Sequence, residues 1–272
     1  MVIGNKNFDI KNHTYVMGIL NVTPDSFSDG GMHSTVDAAL KKASEMVKEG
    51  ADIIDIGGES TRPGASFVPE AVELERTIPV IERVKAELDI PVSLDTYKPA
   101  VASEGIRAGA DLINDIWGLL YDPMMGKVIS EGKVSCVLMH NRKEHDYLSF
   151  GLDFVNDCAE ILERASKAGI SEDKIILDPG IGFAKMQKEN LWVLNNMDLL
   201  NNLGAPWLIG CSRKSVIGNA LNLPVDERLE GTLATTALAV MKGASFVRVH
   251  DVKENKRVID MLETIRNEGR HR

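Results

Sequence analysis

The sequence predicts one β/α barrel: eight parallel strands, each followed by a helix, with a short N-terminal extension. Three observations carry this. Short apolar runs alternate with amphipathic helical segments along nearly the whole chain. The runs are continuously apolar rather than alternating, as buried parallel strands are. The alternation counts to eight, which closes on itself, whereas six units would favour an open doubly wound sheet. No Pro- or Ser-rich linker divides the 272 residues, so the whole chain, 1–272, reads as a single domain.

The first strand is expected at 15–20, after an N-terminal segment of residues 2–14. It stops at Asn21 and gives way to a polar loop holding Asp25, Asp29, Thr23, Ser26, Ser28, Pro24 and Phe27, and ending in Gly30-Gly31. Strand-to-helix connections usually take about 2–6 residues, so this loop is long for a corner. Its many acceptors suit a lid or an ion-binding segment; an ordinary surface loop built on turn-forming residues is the alternative. The helix near 35–49 places Val36, Ala39, Leu40, Ala43, Met46 and Val47 on one stripe. Ser34 with Asp37 reads as its capping pair, and Gly50 ends it.

Strand 52–56 runs into a second long loop, Gly57 to Gly64. Helix 70–88 follows and is expected to break at Pro79, which lacks an N–H. Strands at 91–94, 111–113 and 134–139 end at Asp95-Thr96, Asn114-Asp115 and Met139-His140. Helix 153–168 carries Phe154, Val155, Cys158, Ile161, Leu162 and Ala165 on one face. Strand 174–177, helix 187–201, strand 206–209, helix 227–242, strand 245–249 and a helix over 253–267 complete the pattern.

Composition excludes several classes. The net charge of −9 argues against a nucleic-acid surface. No apolar run approaches the roughly 18–20 residues that cross a bilayer, and the first residues lack a signal-peptide core. Cys136, Cys158 and Cys211 are scattered and odd in number, which argues against disulfides and zinc and fits the reducing cytoplasm. Asp178-Pro-Gly-Ile-Gly-Phe183 contains Gly-x-Gly without the third glycine or the downstream acid of a dinucleotide site. There is no Gly-x-Ser-x-Gly elbow for acyl transfer.

In a barrel, the loops after the strands form the active face. Here that face collects Asn21, Asp55, Asp95, Asn114, His140, Asp178, Lys214, Arg248 and His250, with Arg62 on the second loop. Taken singly, each has an ordinary reading: Asp95 and Asn114 as helix caps, His140 as a satisfied loop residue, Lys214 as a solvated charge. Their collection at one end of successive strands points to a pocket. Asp95, Asn114, Asp178 and Lys214 offer acceptors and donors for a flat heterocycle. Arg62, Arg248 and His250, with Ser60 and Thr61, suit an anionic tail such as phosphate. Asn21 and Asp29 are oxygen donors compatible with a hard cation such as Mg²⁺ bridging to that tail.

Two long segments resemble the signatures of the dihydropteroate synthase family. They are Met17-Gly-Ile-Leu-Asn-Val-Thr-Pro-Asp-Ser-Phe-Ser-Asp-Gly-Gly31 and Asp55-Ile-Gly-Gly-Glu-Ser-Thr-Arg-Pro-Gly64. The likeness continues in order through Ser93-Leu-Asp-Thr96, Ile113-Asn-Asp115, Leu138-Met-His140, Leu177-Asp-Pro-Gly-Ile-Gly-Phe183, Gly210-Cys-Ser-Arg-Lys-Ser215 and Arg248-Val-His-Asp-Val252. The resemblance implies a transferase of folate biosynthesis. It would condense 6-hydroxymethyl-7,8-dihydropterin pyrophosphate with p-aminobenzoate, giving 7,8-dihydropteroate and pyrophosphate. It implies a pterin on Asp95, Asn114, Asp178 and Lys214, and a pyrophosphate on Asn21, Thr61, Arg62, Arg248 and His250, with Mg²⁺ on Asn21 and Asp29. It implies p-aminobenzoate, or a sulfonamide, against Phe27, Pro63, Phe183, Lys214 and Ser215, and a homodimer. Asp95, Asp178, Lys214, Arg248 and His250 would carry the catalysis. Two rivals stay open: a barrel methyltransferase on methyltetrahydrofolate, which has no need of the Thr61-Arg62-Pro63 loop, and a pterin-binding barrel without catalysis.

Overall fold

The computed structural model of the protein describes residues 1–23, 32–60 and 65–268. Two short strands, β1 (Val2–Ile3) and β2 (Lys6–Asn7), form an antiparallel hairpin at the N-terminus. Then come β3 (Tyr15–Asn21), α1 (Met32–Glu49), β4 (Ile53–Gly57), α2 (Glu70–Glu87), β5 (Val92–Asp95), α3 (Pro99–Arg107), β6 (Leu112–Asp115) and α4 (Met124–Gly132). The second half holds β7 (Ser135–Met139), α5 (Phe150–Lys167), β8 (Ile175–Asp178), α6 (Gln187–Asn195), β9 (Leu208–Ile209), α7 (Ser215–Leu221), α8 (Leu229–Lys242), β10 (Phe246–Val249) and α9 (Val252–Glu268).

The eight strands β3 to β10 pair in parallel in the order β8-β7-β6-β5-β4-β3-β10-β9. The ring closes between β8 and β9 through one bridge, Leu177 with Trp207, and the Leu177 N–H donates to the Pro206 carbonyl at 2.9 Å. The expected barrel is therefore present.

Strand side chains alternate between the two faces, and the sequence uses this to build two separate cores. Val16, Leu20, Ile54, Ile56, Val92, Leu94, Ile113, Cys136, Leu138, Ile175, Leu177, Ile209 and Val247 face the helices in one large cluster. The residues between them face the barrel interior. At its N-terminal end Met17, Ile53, Leu112, Val137, Ile176, Leu208 and Phe246 form a second cluster with Ile3 and Phe8 from the N-terminal segment. That segment, which the sequence reads only as an extension, is the plug of the barrel floor. Each such buried side chain contributes about 1.5–3 kcal/mol.

Three element expectations change. Helix α2 runs through Pro79 without a break. The carbonyl that Pro79 leaves unserved belongs to the exposed Glu75, where water can serve it, while Thr77, Val80, Ile81 and Val84 hold the helix on the barrel. Helix α1 is described from Met32, so position 34 falls within the helix rather than before it. The segment expected as one helix over 187–201 is α6 followed by a 3₁₀ stretch, Met197–Leu203. All three cysteines are buried free thiols. Among the described residues no helix is long and apolar enough to cross a membrane.

Candidate active site

The inward-facing residues near the strand C-termini are polar, and they line a cavity of about 630 Å³. Its floor is a charge cluster. Asp55, on β4, is fully buried; Ser93, on β5, donates to its Oδ1 at 2.5 Å. Arg248, on β10, donates through Nε to Asp55 Oδ2 at 2.6 Å and through Nη2 to Asp95 Oδ2 at 2.6 Å. Asn114, on β6, points its amide at Asp55 Oδ2, 3.4 Å away. The other Asp95 oxygen, Oδ1, is buried and has no hydrogen-bond partner among the described residues. Burial raises the Asp95 pKa, against the pull of Arg248, while the two acids keep the guanidinium protonated despite its own burial.

Asp178, at the end of β8, forms the opposite wall. Its Oδ1 accepts the Gly180 N–H at 2.7 Å. Gly180 has φ +68°, and a Cβ there would stand 2.0 Å from the His140 carbonyl oxygen, so only glycine fits. Burial raises the Asp178 pKa; Lys214 and the Gly180 N–H oppose it. Lys214 donates from Nζ to the Ile181 carbonyl at 2.7 Å and stands 4.8 Å from the centroid of the Phe183 ring. Burial lowers its pKa, and Asp178 works the other way. Ile19, Ile116, Met139 and Ile181 complete an apolar lining. A slot with acids and an amide at one end, an ammonium at one wall and apolar faces between suits a flat polar heterocycle.

The mouth carries Asn21, Thr23, Ser60, Ser215 and His250. Ser212 ties His250 down: its Oγ accepts the His250 backbone N–H at 3.2 Å and lies 2.9 Å from Nδ1. Arg213 turns away and pairs with Asp251, Nε to Oδ2, at 2.9 Å. Asn21 and Asp95 flank Gly57, since a Cβ there would stand 3.7 Å from Asn21 Oδ1 and 3.5 Å from Asp95 Cβ.

The structure thus brings Asn21, Asp95, Asn114, Asp178, Phe183, Lys214, Ser215, Arg248 and His250 to one cavity. Phe27, Asp29, Thr61, Arg62 and Pro63 lie outside the described residues. Among the described residues no group of three His, Cys, Asp or Glu could hold a metal. The donor chemistry still fits a hard cation at the mouth, where Asn21 presents an amide oxygen.

Two residues of the sequence-derived face do not line the cavity: Asp55 lies beneath its floor, held by Arg248 and Ser93, and His140 is elsewhere. His140 is fully buried but does not line the cavity; Met139 does. Its Nε2 meets Asp157 Oδ2 at 2.9 Å, and its Nδ1 meets Lys185 Nζ at 2.8 Å, both in the layer between strands and helices. Arg248, expected at an anionic tail, has two of its nitrogens on the deep acids. Sequence reasoning assigned no part to Ser93, Ser212 or Lys185. The period of two along a strand marks Ser93, two residues before Asp95; nothing in the pattern marks Ser212 or Lys185.

Residues 17–250 match the pterin binding enzyme family. A dihydropteroate synthase of Clostridium beijerinckii is 54% identical over 266 residues, covering 97% of this chain and 99% of the relative. The Bacillus subtilis dihydropteroate synthase is 53% identical over 259 residues, covering 95% and 91%. The crystal structure of a Clostridium difficile dihydropteroate synthase, determined in the presence of pteroic acid, superposes with a TM-score of 0.92 at 48% identity, covering 95% of this chain and 99% of that one.

Proposed function

Since the chain belongs to the pterin-binding enzymes and, within them, to the dihydropteroate synthases, we propose that this cavity joins 6-hydroxymethyl-7,8-dihydropterin pyrophosphate to p-aminobenzoate, releasing 7,8-dihydropteroate and pyrophosphate. One observation carries the assignment to the cavity: the buried Oδ1 of Asp95, without a partner among the described residues, beside Asn114, Arg248 and Asp55. A buried acceptor without a donor costs about 1–3 kcal/mol. A pterin N–H placed there removes that cost.

The residues divide the work. Asp95, Asn114 and Asp178 hold the heterocycle, and Lys214 donates to its rim. The carbon that reacts is the pterin methylene. Its C–O bond breaks, the electron pair leaves with pyrophosphate, and positive charge spreads into the ring. Asp95 and Asp178, both in the low-dielectric interior, stabilise that charge. His250 and Asn21 face the leaving group from the mouth. The amine nitrogen of p-aminobenzoate, lying between Phe183 and Lys214 with its carboxylate near Ser215, then forms the C–N bond and loses a proton to solvent. Departure before attack suits a weak aromatic nucleophile. Mg²⁺ held by Asn21 and Asp29 would neutralise charge on the departing pyrophosphate. A homodimer, in the cytoplasm, belongs to the same reading and is supported by the resemblance.

The test is direct. Purified protein is mixed with the dihydropterin pyrophosphate, p-aminobenzoate and Mg²⁺. Dihydropteroate and pyrophosphate in equal amounts, lost on chelation, are expected. Bound pterin pyrophosphate without product overturns the reaction and moves the methyltransferase and the non-catalytic binder forward. Light scattering at twice the chain mass checks the dimer.

A further inference from the structure

Behind the cavity wall lies a chain of polar groups, buried at His140 and half-buried at Lys185, Asp157 and Arg142, that the reaction does not use. Lys185 donates from Nζ to His140 Nδ1 at 2.8 Å, to the Gly180 carbonyl at 2.9 Å and to the Phe183 carbonyl at 3.1 Å. An ammonium has three N–H donors, and here each has an acceptor. Desolvation pulls its pKa down to about 7, with Asp178 acting against it. Because His140 Nδ1 accepts from the ammonium, the ring proton sits on Nε2 and donates to Asp157 Oδ2 at 2.9 Å. Arg142 grips Asp157 through Nε at 2.7 Å and Nη2 at 3.0 Å. The chain runs from the surface to the loop that follows β8.

That loop needs holding. Gly180, Gly182 and Ala184 all have positive φ, at +68°, +87° and +47°. For Ala184 this is strained and persists only where the surroundings fix it. Asn190 takes the Gly182 N–H at 2.6 Å and donates to the Lys185 carbonyl at 3.1 Å. The Ile181 carbonyl, in the same loop, takes the Lys214 ammonium, and the Phe183 ring stands against it.

We propose that Lys185 is a positioning residue for the second substrate: its amine sets the course of residues 180–183, and through Ile181 and Phe183 the place of the Lys214 ammonium at the cavity wall. The inference rests on the reading that the aromatic amine binds between Phe183 and Lys214. Most of the pterin floor stands apart from it, because Asp95 and Asn114 sit on strands and not on the loop; loss of Lys185 reaches the pterin only through Asp178 and Lys214.

Lys185→Met keeps an unbranched apolar stem, one atom shorter, and removes the three donors. It should raise KM for p-aminobenzoate about tenfold while changing affinity for the pterin pyrophosphate less than about threefold. Val84→Ala, a buried cavity on α2, supplies a destabilised control that lowers Tm without this split. Should Lys185→Met not fold, Lys185→Gln retains two donors one bond short and should give a smaller split of the same sense. Equal losses on both substrates, or none, overturn the role of Lys185 and leave the reaction intact. A wild-type protein that forms no dihydropteroate overturns both.

Discussion

Arg248 Nη2 lies 2.6 Å from Asp95 Oδ2, and the neighbouring Nε lies 2.6 Å from Asp55 Oδ2, so one guanidinium bridges two buried acids. Asp55 is satisfied further by Ser93 and faces Asn114. Of the two acids, it is Asp95 that keeps an oxygen without a partner among the described residues. The bridge fixes the direction of that oxygen.

Asp95→Asn keeps the shape of the side chain and replaces one acceptor by a donor. It removes the charge of the bridge, and its one NH2 must either face the Arg248 guanidinium, donor against donor, or stand where a ligand N–H is expected. Affinity for the dihydropterin pyrophosphate, read by calorimetry, should fall at least about tenfold, or about 1.4 kcal/mol. Unchanged affinity would take Asp95 out of the binding floor.

Removing the cation has a different consequence. Arg248→Ala leaves Asp55 and Asp95 buried without a counter-charge, and breaking such a pair typically costs about 3–5 kcal/mol. The loss should shrink as pH falls, because burial raises the Asp95 pKa and a protonated Asp95 no longer adds a second buried negative charge beside Asp55. Urea unfolding at pH 7.5 and at pH 5.5 reads this; a loss equal at both pH values would mean that Asp95 does not change its protonation between them. Since Arg248 shapes the floor, both the pyrophosphate ester and the bare pterin alcohol should bind less well. If Arg248 also meets the tail, the ester loses more.

Ser212 acts on the tautomer of His250. Its Oγ accepts the His250 backbone N–H and lies 2.9 Å from Nδ1; the expected arrangement has the hydroxyl donating to Nδ1 and the ring proton on Nε2. Nitrogen NMR of the wild type should show the Nε2–H form. Ser212→Ala should mix the tautomers and raise KM for the pterin pyrophosphate about fivefold, an amount expected for one lost orienting hydrogen bond. A wild-type ring protonated on Nδ1 would reverse the donor assignment.

Most of this was legible in the chain because a barrel strand repeats every two residues. Ile19 and Asn21, Ser93 and Asp95, and Arg248 and His250 are each two apart and share the interior. The floor plug was not legible: Ile3 and Phe8 are an isolated pair of apolar residues, and only the closed ring gives them something to cover. His140 shows the rule misapplied. It follows Met139 by one residue, so a strand that sends Met139 inward sends His140 outward. Its place at a strand end suggested the cavity; the parity of the strand decides against it. The continuity of α2 through Pro79 depended on Glu75 being exposed, which is a tertiary fact. The parts of the site on the first two loops, Phe27, Asp29, Thr61, Arg62 and Pro63, rest on their motifs alone.

The burial of His140 carries its own test. The ring is enclosed and near the Lys185 ammonium, and its pKa is lowered to about 4 even though Asp157 favours the cation. An exposed histidine titrates near 6.5. Between those values the unfolded chain binds a proton that the folded chain refuses. The stability due to a neutral His140 is therefore fully present above pH 6.5 and is lost as pH falls toward 4. The loss by pH 4.5 should be about 2 kcal/mol from this group. Asp157, held down to about 2 by His140 and Arg142 against the effect of its burial, adds its own loss only at lower pH. His140→Gln cannot titrate. It should be less stable than the wild type at pH 7, because an uncharged amide serves Lys185 and Asp157 less well. The gap between the two proteins should narrow by about 2 kcal/mol at pH 4.5. Urea midpoints at the two pH values measure it. A gap that stays constant would mean that His140 is charged in the fold, and then Lys185, 2.8 Å away, would be the neutral partner.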